Sequence, residues 1–248
     1  MVEQMEDLDD GALAAALAHA AGQILLSVRQ SKLLTGKTLG GAGDSVANEF
    51  LCAAIAAQRP DDGLLSEESK DTSERLSKSR VWIIDPVDGT REYGEERADW
   101  AVHVGLSVDG DAVLGAVALP GLDLVMRSDK PITLAPPVPT RRIAVSRTRP
   151  PSEATSLADH LNAELVPMGS AGAKAMAVVR GEADIYVHSG GQYEWDNCAP
   201  AAVALAHGLH CSRIDGSPLR YNNKETYLPD LLICHREDAQ DILKFLNP

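Results

Sequence analysis

From Leu13 the apolar residues Leu13, Leu17, Ala20, Ala21, Ile24, Leu25 and Val28 recur at i, i+3, i+4 and i+7 with no proline among them. That spacing lines one face of an amphipathic helix. A second helix is predicted over residues 45–59, with Val46, Phe50, Ala53, Ala54 and Ala57 inward, ending at Pro60 and the Asp61-Asp62-Gly63 turn. The pattern then changes. Val81-Trp82-Ile83-Ile84 is the short apolar run of a buried strand, residues 100–108 alternate up to Asp109-Gly110, and residues 112–119 and 122–126 continue a meander around Pro120-Gly121.

Pro131, Pro136, Pro137 and Pro139 fall within one short stretch, a composition that favours extended chain and marks a boundary. Beyond it strands and helices alternate: strand 143–145, helix 152–162, strand 165–166, helix 171–180 and strand 183–187. After Gly190-Gly191 a helix is predicted over 197–206, then a strand at 231–234 and a helix at 237–246. Alternation of this kind predicts a parallel or mixed sheet, so the expected class is α/β, or mixed α+β.

Composition narrows the function. With 44% apolar and 24% charged residues the chain is ordinary globular protein, and no window approaches an uninterrupted apolar membrane span. A net charge of −13 repels a phosphate backbone, so neither a nucleic-acid nor a membrane partner is expected. Cys52, Cys198, Cys211 and Cys234 form no C-x-x-C, and the acidic start, residues 1–10, lacks the basic and apolar regions of a signal peptide. The expectation is a cytoplasmic protein with buried thiols.

Two glycine-containing signals carry no nucleotide site. Gly36-Lys37-Thr38 resembles the end of a P-loop, but Ser31 stands where that motif needs glycine and a helix precedes it. Gly40-Gly41-Ala42-Gly43 reads as a flexible loop, with no strand before it. Among the histidines, His103, His188 and His207 included, none pairs at metal-ligand spacing, so each is read as structural or exposed.

The chemistry lies in Val81-Trp82-Ile83-Ile84-Asp85-Pro86-Val87-Asp88-Gly89-Thr90. Asp-Pro and Asp-Gly are common turn pairs, yet an acidic turn ending a buried strand is where ligand sites collect. Asp85 and Asp88 with the Val87 carbonyl form an oxygen set suited to Mg²⁺; Gly89 lets the backbone approach an anion, and the Thr90 hydroxyl can position a water. Glu67-Glu68 and Glu194-Trp195-Asp196 are the other acidic contributors. Asp196 also reads as an N-cap. Taken together, buried carboxylates at Glu67, Asp85, Asp88 and Asp196 require cations.

These segments, with Gly169-Ser170 and Trp195-Asp196, resemble the inositol monophosphatase superfamily of Mg²⁺-dependent, Li⁺-sensitive phosphatases, and within it the CysQ-type branch of an actinobacterial kind. The resemblance implies a layered αβαβα sandwich of the inositol monophosphatase and fructose-1,6-bisphosphatase type. An N-terminal half, 1–135, would carry most metal ligands, and a C-terminal half, 136–248, would complete the site. It implies Mg²⁺ held by Glu67, Asp85, the Val87 carbonyl, Asp88 and Asp196, with Asp44 and Thr90 as the catalytic pair orienting a water for in-line attack. The family motif continues after Asp44 with Val-Thr and another Asp, where this chain has Ala47-Asn48. A homodimer is also implied.

Arg91-Glu92-Tyr93 after Thr90 is similar to the CysQ-type continuation, and Ser146-Arg147 and Lys174 also match that branch. Gly89, Thr90, Arg91, Ser146, Arg147, Gly169, Ser170 and Lys174 are therefore the expected substrate contacts. The implied reaction is hydrolysis of 3′-phosphoadenosine 5′-phosphate to AMP and phosphate, in sulfur metabolism. Inositol monophosphate and fructose 1,6-bisphosphate are the alternative substrates, and a metal-binding homologue without turnover is a rival of another class.

Overall fold

The computed structural model describes residues 8–247; the acidic residues read at 1–7 lie outside them. The described residues stack in five layers. Helices α1 (Asp10–Gln30) and α2 (Gly36–Gln58) cover one face of a sheet built from β1 (Gly63–Ser66), β2 (Arg80–Asp88), β3 (Ala101–Val108), β4 (Asp111–Leu119) and β5 (Leu124–Arg127). A short helix, α3 (Thr90–Gly94), leaves the end of β2. The strands lie in sequence order; β1 runs parallel to β2 and the rest pair antiparallel.

The second sheet has the order β7-β6-β8-β10-β9, from β6 (Arg142–Ser146), β7 (Glu164–Met168), β8 (Ile185–Tyr193), β9 (His210–Ser212) and β10 (Tyr227–Cys234). It is mixed: β6 is parallel to β7 and β8, while β10 is antiparallel to β8 and β9. Helices α5 (Ala171–Val179) and α6 (Glu194–Ala206) fill the space between the sheets, and α4 (Ser152–Leu161) and α7 (Arg236–Leu246) cover the far side. The expected αβαβα sandwich is the observed one.

Strand periodicity produces this layering. On β2, Trp82 and Ile84 join the α1/α2 core while Val81 and Ile83 point the other way, into the core formed with α5 and α6. A third core of Ile143, Val145, Ile185, Val187 and Leu232 packs against Ala154, Leu157 and Ile242 of α4 and α7. Each large side chain so buried contributes about 2 kcal/mol. The proline-rich residues 131–140 contain neither helix nor strand and run between the two sheets. Helix α1 is long and apolar enough to span a bilayer by composition, but Leu13, Ala14, Leu17, Ala18, Ala21 and Leu25 are spent on the core.

Several expectations are corrected. Helix α2 begins at Gly36, so Gly40-Gly41-Ala42-Gly43 is helical rather than a loop. A Cβ on Gly40 would lie 2.7 Å from Thr90 Cγ2 and one on Gly43 2.6 Å from Tyr93 Cε1, so the glycines let α2 press against α3. That contact also rotates the helix: its buried face is Leu39, Gly43, Asp44, Ala47, Leu51 and Ile55, whereas Val46, Ala53 and Ala57 are exposed. Strand β8 continues through Gly190-Gly191 to Tyr193, with a register shift in its partner β10, and α6 starts at Glu194, ahead of the predicted Asn197. All four cysteines are free, but only Cys198 and Cys234 are fully buried.

Candidate active site

Asp85 and Asp88 lie at the end of β2, where a regular strand would send residues three apart to opposite faces. The pairing with β3 slips here: Asp85 lies opposite His103 and Asp88 opposite Ala101, so the longer stretch on β2 bulges. The bulge brings both carboxylates to one side. Asp196, in the first turn of α6, completes a group of three whose ligand oxygens all lie within 4.8 Å of one another. An all-oxygen carboxylate set fits a hard divalent cation such as Mg²⁺.

Each carboxylate has its own support. Asp85 accepts from the Val87 backbone N–H at 3.0 Å. Asp88 receives the Ser170 hydroxyl and the Gly172 N–H on Oδ2, each at 2.5 Å, and the Ala171 N–H on Oδ1 at 3.0 Å. These donors form the start of α5, whose dipole also favours the anion. Asp196 folds back to accept from the Tyr193 N–H at 2.6 Å, so it sits inside the first turn rather than at the N-cap position.

Burial and mutual repulsion dominate the electrostatics. Burial, then Glu67, Asp88 and Asp196, push Asp85 well above the carboxylate range, and burial with Asp88 raises Asp196 to about 6. Glu67 stands at the rim, exposed overall, yet burial of its carboxyl and the charges of Asp196, Glu68 and Asp88 raise it to about 7 against a relieving contact with Asp85. Asp88 goes the other way: against burial, His103, Ser170 and Lys174 hold it below the usual range.

A carboxyl with a raised pKa binds its proton more tightly folded than unfolded, so its stabilisation is present below about pH 4 and lost as pH rises through the folded value. Glu67, Asp85 and Asp196 all act in this sense, and Asp88 in the opposite one. The melting temperature of chelated protein should therefore fall between about pH 5 and 8, and added Mg²⁺ should restore it. Melting curves in chelator across that range check this; a flat profile would show that the carboxylates are not under repulsion.

Thr90 lies at the N-terminus of α3, with Gly89 before it at φ 91°, a left-handed conformation that side-chain-bearing residues rarely adopt. The Thr90 hydroxyl is 3.3 Å from Asp44 Oδ1 and 3.2 Å from the Val87 carbonyl. The structure thus joins Asp44 to Thr90 across α2 and α3, with Ala47-Asn48 following. Burial and the charge of Glu68 raise Asp44 to about 7, opposed by Thr90.

Beside the cluster is a cavity of about 410 Å³ whose wall includes the expected Arg91, Ser146, Arg147, Gly169, Ser170 and Lys174, together with Glu92, Thr148 and Arg149. Ser170 faces this cavity and also donates to Asp88, so the two features meet. The cations differ in availability. Arg147 is bound to Glu92 at 2.9 Å and Glu95 at 2.5 Å, and Arg91 to Glu95 at 2.7 Å. Lys174 is buried; its ammonium donates to the carbonyls of Gly169, at 3.0 Å, and Ser170, and burial lowers its pKa. Arg149 is exposed and has no ion-pair partner among the described residues.

Sequence reasoning passed over Arg149, and it read His103 only as structural or exposed rather than as a neighbour of the site. His103 is fully buried, with Nδ1 2.9 Å from the Trp195 carbonyl and Nε2 3.1 Å from Asp88 Oδ2, off the line of a well-formed hydrogen bond. Asp88 raises its pKa against the effect of burial. Neither residue belongs to a local motif; a basic residue in a polar loop and a histidine in a strand become informative only once the partners from other elements are in place.

Comparison with known proteins agrees with this geometry. Residues 7–244 match the Inositol monophosphatase family. The chain is 49% identical over 252 residues to the 3′-phosphoadenosine 5′-phosphate phosphatase of Mycobacterium leprae, covering 96% of this chain and 93% of that protein. It is 51% identical to the protein of the same name in Mycobacterium tuberculosis, covering 90% and 88%. Inositol monophosphatase II from Staphylococcus aureus superposes with a TM-score of 0.81 over 94% of this chain and 91% of that one, at 20% identity. The chain belongs to the inositol monophosphatase family of metal-dependent phosphatases.

Proposed function

We propose that this protein hydrolyses 3′-phosphoadenosine 5′-phosphate to AMP and phosphate with Mg²⁺, as a cytoplasmic, homodimeric enzyme of sulfur metabolism. The carrying observation is the junction at Ser170, which lines a cavity rich in cations and donates to Asp88 of the three-aspartate cluster. A bisphosphorylated nucleotide needs both parts: one for the phosphate that leaves and one for the phosphate that stays. The names and near-half identity of the mycobacterial relatives support the same substrate, and four free thiols fit a reducing compartment.

Asp85, Asp88, Asp196, Glu67 and the Val87 carbonyl would hold Mg²⁺, which supplies Lewis-acid polarisation of the phosphate and a lower pKa for water. The Asp44 and Thr90 pair holds the attacking water; with a pKa near neutrality, Asp44 can accept its proton. The start of α3 at Gly89 and Thr90 offers backbone N–H groups to the scissile phosphate. Arg149, with Ser146 on the same wall, would hold the remote 5′-phosphate, while Lys174 fixes the Gly169 and Ser170 carbonyls beside it. Arg91 and Arg147, clamped by Glu92 and Glu95, shape the cavity and keep its carboxylates neutralised.

The test is Mg²⁺-dependent release of phosphate from 3′-phosphoadenosine 5′-phosphate by purified protein, with none in chelator. Release in chelator would defeat the metal reading, and absence of release with Mg²⁺ would favour a binding protein without turnover. Li⁺ should also inhibit, since a single charge at one Mg²⁺ position stabilises the leaving oxygen less. Turnover unaffected by Li⁺ at concentrations where K⁺ is also silent would show a different second metal position.

A further inference from the structure

We infer that Asn48 is a positioning residue that pins the Glu67-Glu68 turn to the helix carrying Asp44 and thereby sets Mg²⁺ affinity. The inference rests on the proposed role of Glu67 as a metal ligand. Asn48 lies one helical turn after Asp44 on α2, where i and i+4 share a face. Its Oδ1 accepts the Ser66 hydroxyl at 2.7 Å, and its Nδ2 donates to the Ser69 hydroxyl at 3.1 Å. Ser66 and Ser69 are the two ends of the turn that carries Glu67 and Glu68. One amide therefore closes both ends of an acidic turn whose own carboxylates pair with no cation among the described residues.

The choice of Asn has a chemical reason. The amide accepts from Ser66 and donates to Ser69, whereas a carboxylate could only accept from the two hydroxyls. An aspartate would also add a negative charge beside Glu67, Glu68 and Asp44, which already repel one another. Ser66 itself is buried, and its hydroxyl lies 3.4 Å from the Glu68 N–H as an acceptor, so the turn is tied internally as well. Without Asn48 the backbone at Glu67 still hydrogen-bonds to the Ile84 carbonyl at 3.3 Å, so the fold survives while the turn loses its fixed distance to α2.

The experiment measures Mg²⁺ affinity from the metal's own effect on thermal stability, with kinetics in parallel. Asn48→Ala should raise the Mg²⁺ dissociation constant about tenfold, within the range for loss of a residue supporting a metal ligand. KM at saturating Mg²⁺ should be little changed. Ser66→Ala should show part of this shift, and the double variant no more than Asn48→Ala, because Asn48→Ala already removes the tie to Ser66 together with that to Ser69. Cys52→Ala, which removes another neighbour of Asn48 at 3.3 Å, should leave the affinity unchanged. Should Asn48→Ala fold poorly, Ser66→Ala and Ser69→Ala carry the test alone. Unshifted affinity in these variants, or fully additive losses, would overturn the inference. Absence of any Mg²⁺ effect on the unmodified protein would instead overturn the proposed metal site.

Discussion

Asp85→Asn is expected to lower phosphate release by about a thousandfold or more, while the protein folds at least as stably without metal. The activity loss follows from removing a ligand to a cation worth several kcal/mol to the transition state, at about 1.4 kcal/mol per factor of ten. The stability follows from the surroundings. Asp85 is buried and its pKa is raised by Glu67, Asp88 and Asp196, so near neutrality its charge opposes folding. Asparagine keeps an oxygen for the Val87 N–H and removes that repulsion. Asp88→Asn should be as inactive but less stable, because both oxygens of Asp88 receive N–H or O–H donors from residues 170–172 and an amide would turn its own N–H groups toward one of them. Steady-state assays with thermal melts in chelator check both. Substantial activity in Asp85→Asn, or a large drop in its melting temperature, would contradict the placement of this carboxylate among mutually repelling metal ligands.

Arg149→Ala should lower kcat/KM for 3′-phosphoadenosine 5′-phosphate ten- to a hundredfold and leave adenosine 3′-monophosphate nearly unaffected. A charge-assisted contact to the remote phosphate contributes about 1.5 to 3 kcal/mol, and it acts only on a substrate that has that phosphate. Arg149 is chosen because the other cations of the cavity already have partners: Arg147 and Arg91 face carboxylates, and Lys174 faces two carbonyls. Arg147→Ala should accordingly affect both substrates, through the released Glu92 and Glu95. Equal losses on both substrates in Arg149→Ala would place it at the scissile phosphate instead.

The apolar run on β2 and the later strand and helix order were sufficient for an α/β or mixed α+β class, while the layered sandwich followed from the family resemblance. The orientation of α2 was not legible. Val46 and Phe50 are the bulky apolar residues there, yet the helix turns toward Thr90 and Tyr93 because only glycine permits that approach. At the site, the Asp85 to Thr90 hexad stood out locally. What holds it did not: Asp88 is bound by the start of α5 and flanked by His103, and its convergence with Asp85 depends on a bulge that only the register with β3 reveals. Long-range partners of this kind leave no mark in the spacing of either segment.

Side-by-side determination of kcat/KM for 3′-phosphoadenosine 5′-phosphate, inositol monophosphate and fructose 1,6-bisphosphate, at saturating Mg²⁺ and again in chelator, tests the central claim most directly. The account predicts the highest value for the nucleotide and no turnover of any substrate without metal. Equal or faster hydrolysis of inositol monophosphate would contradict it, since the cationic cavity beside Ser170 would then contribute nothing to the choice of substrate.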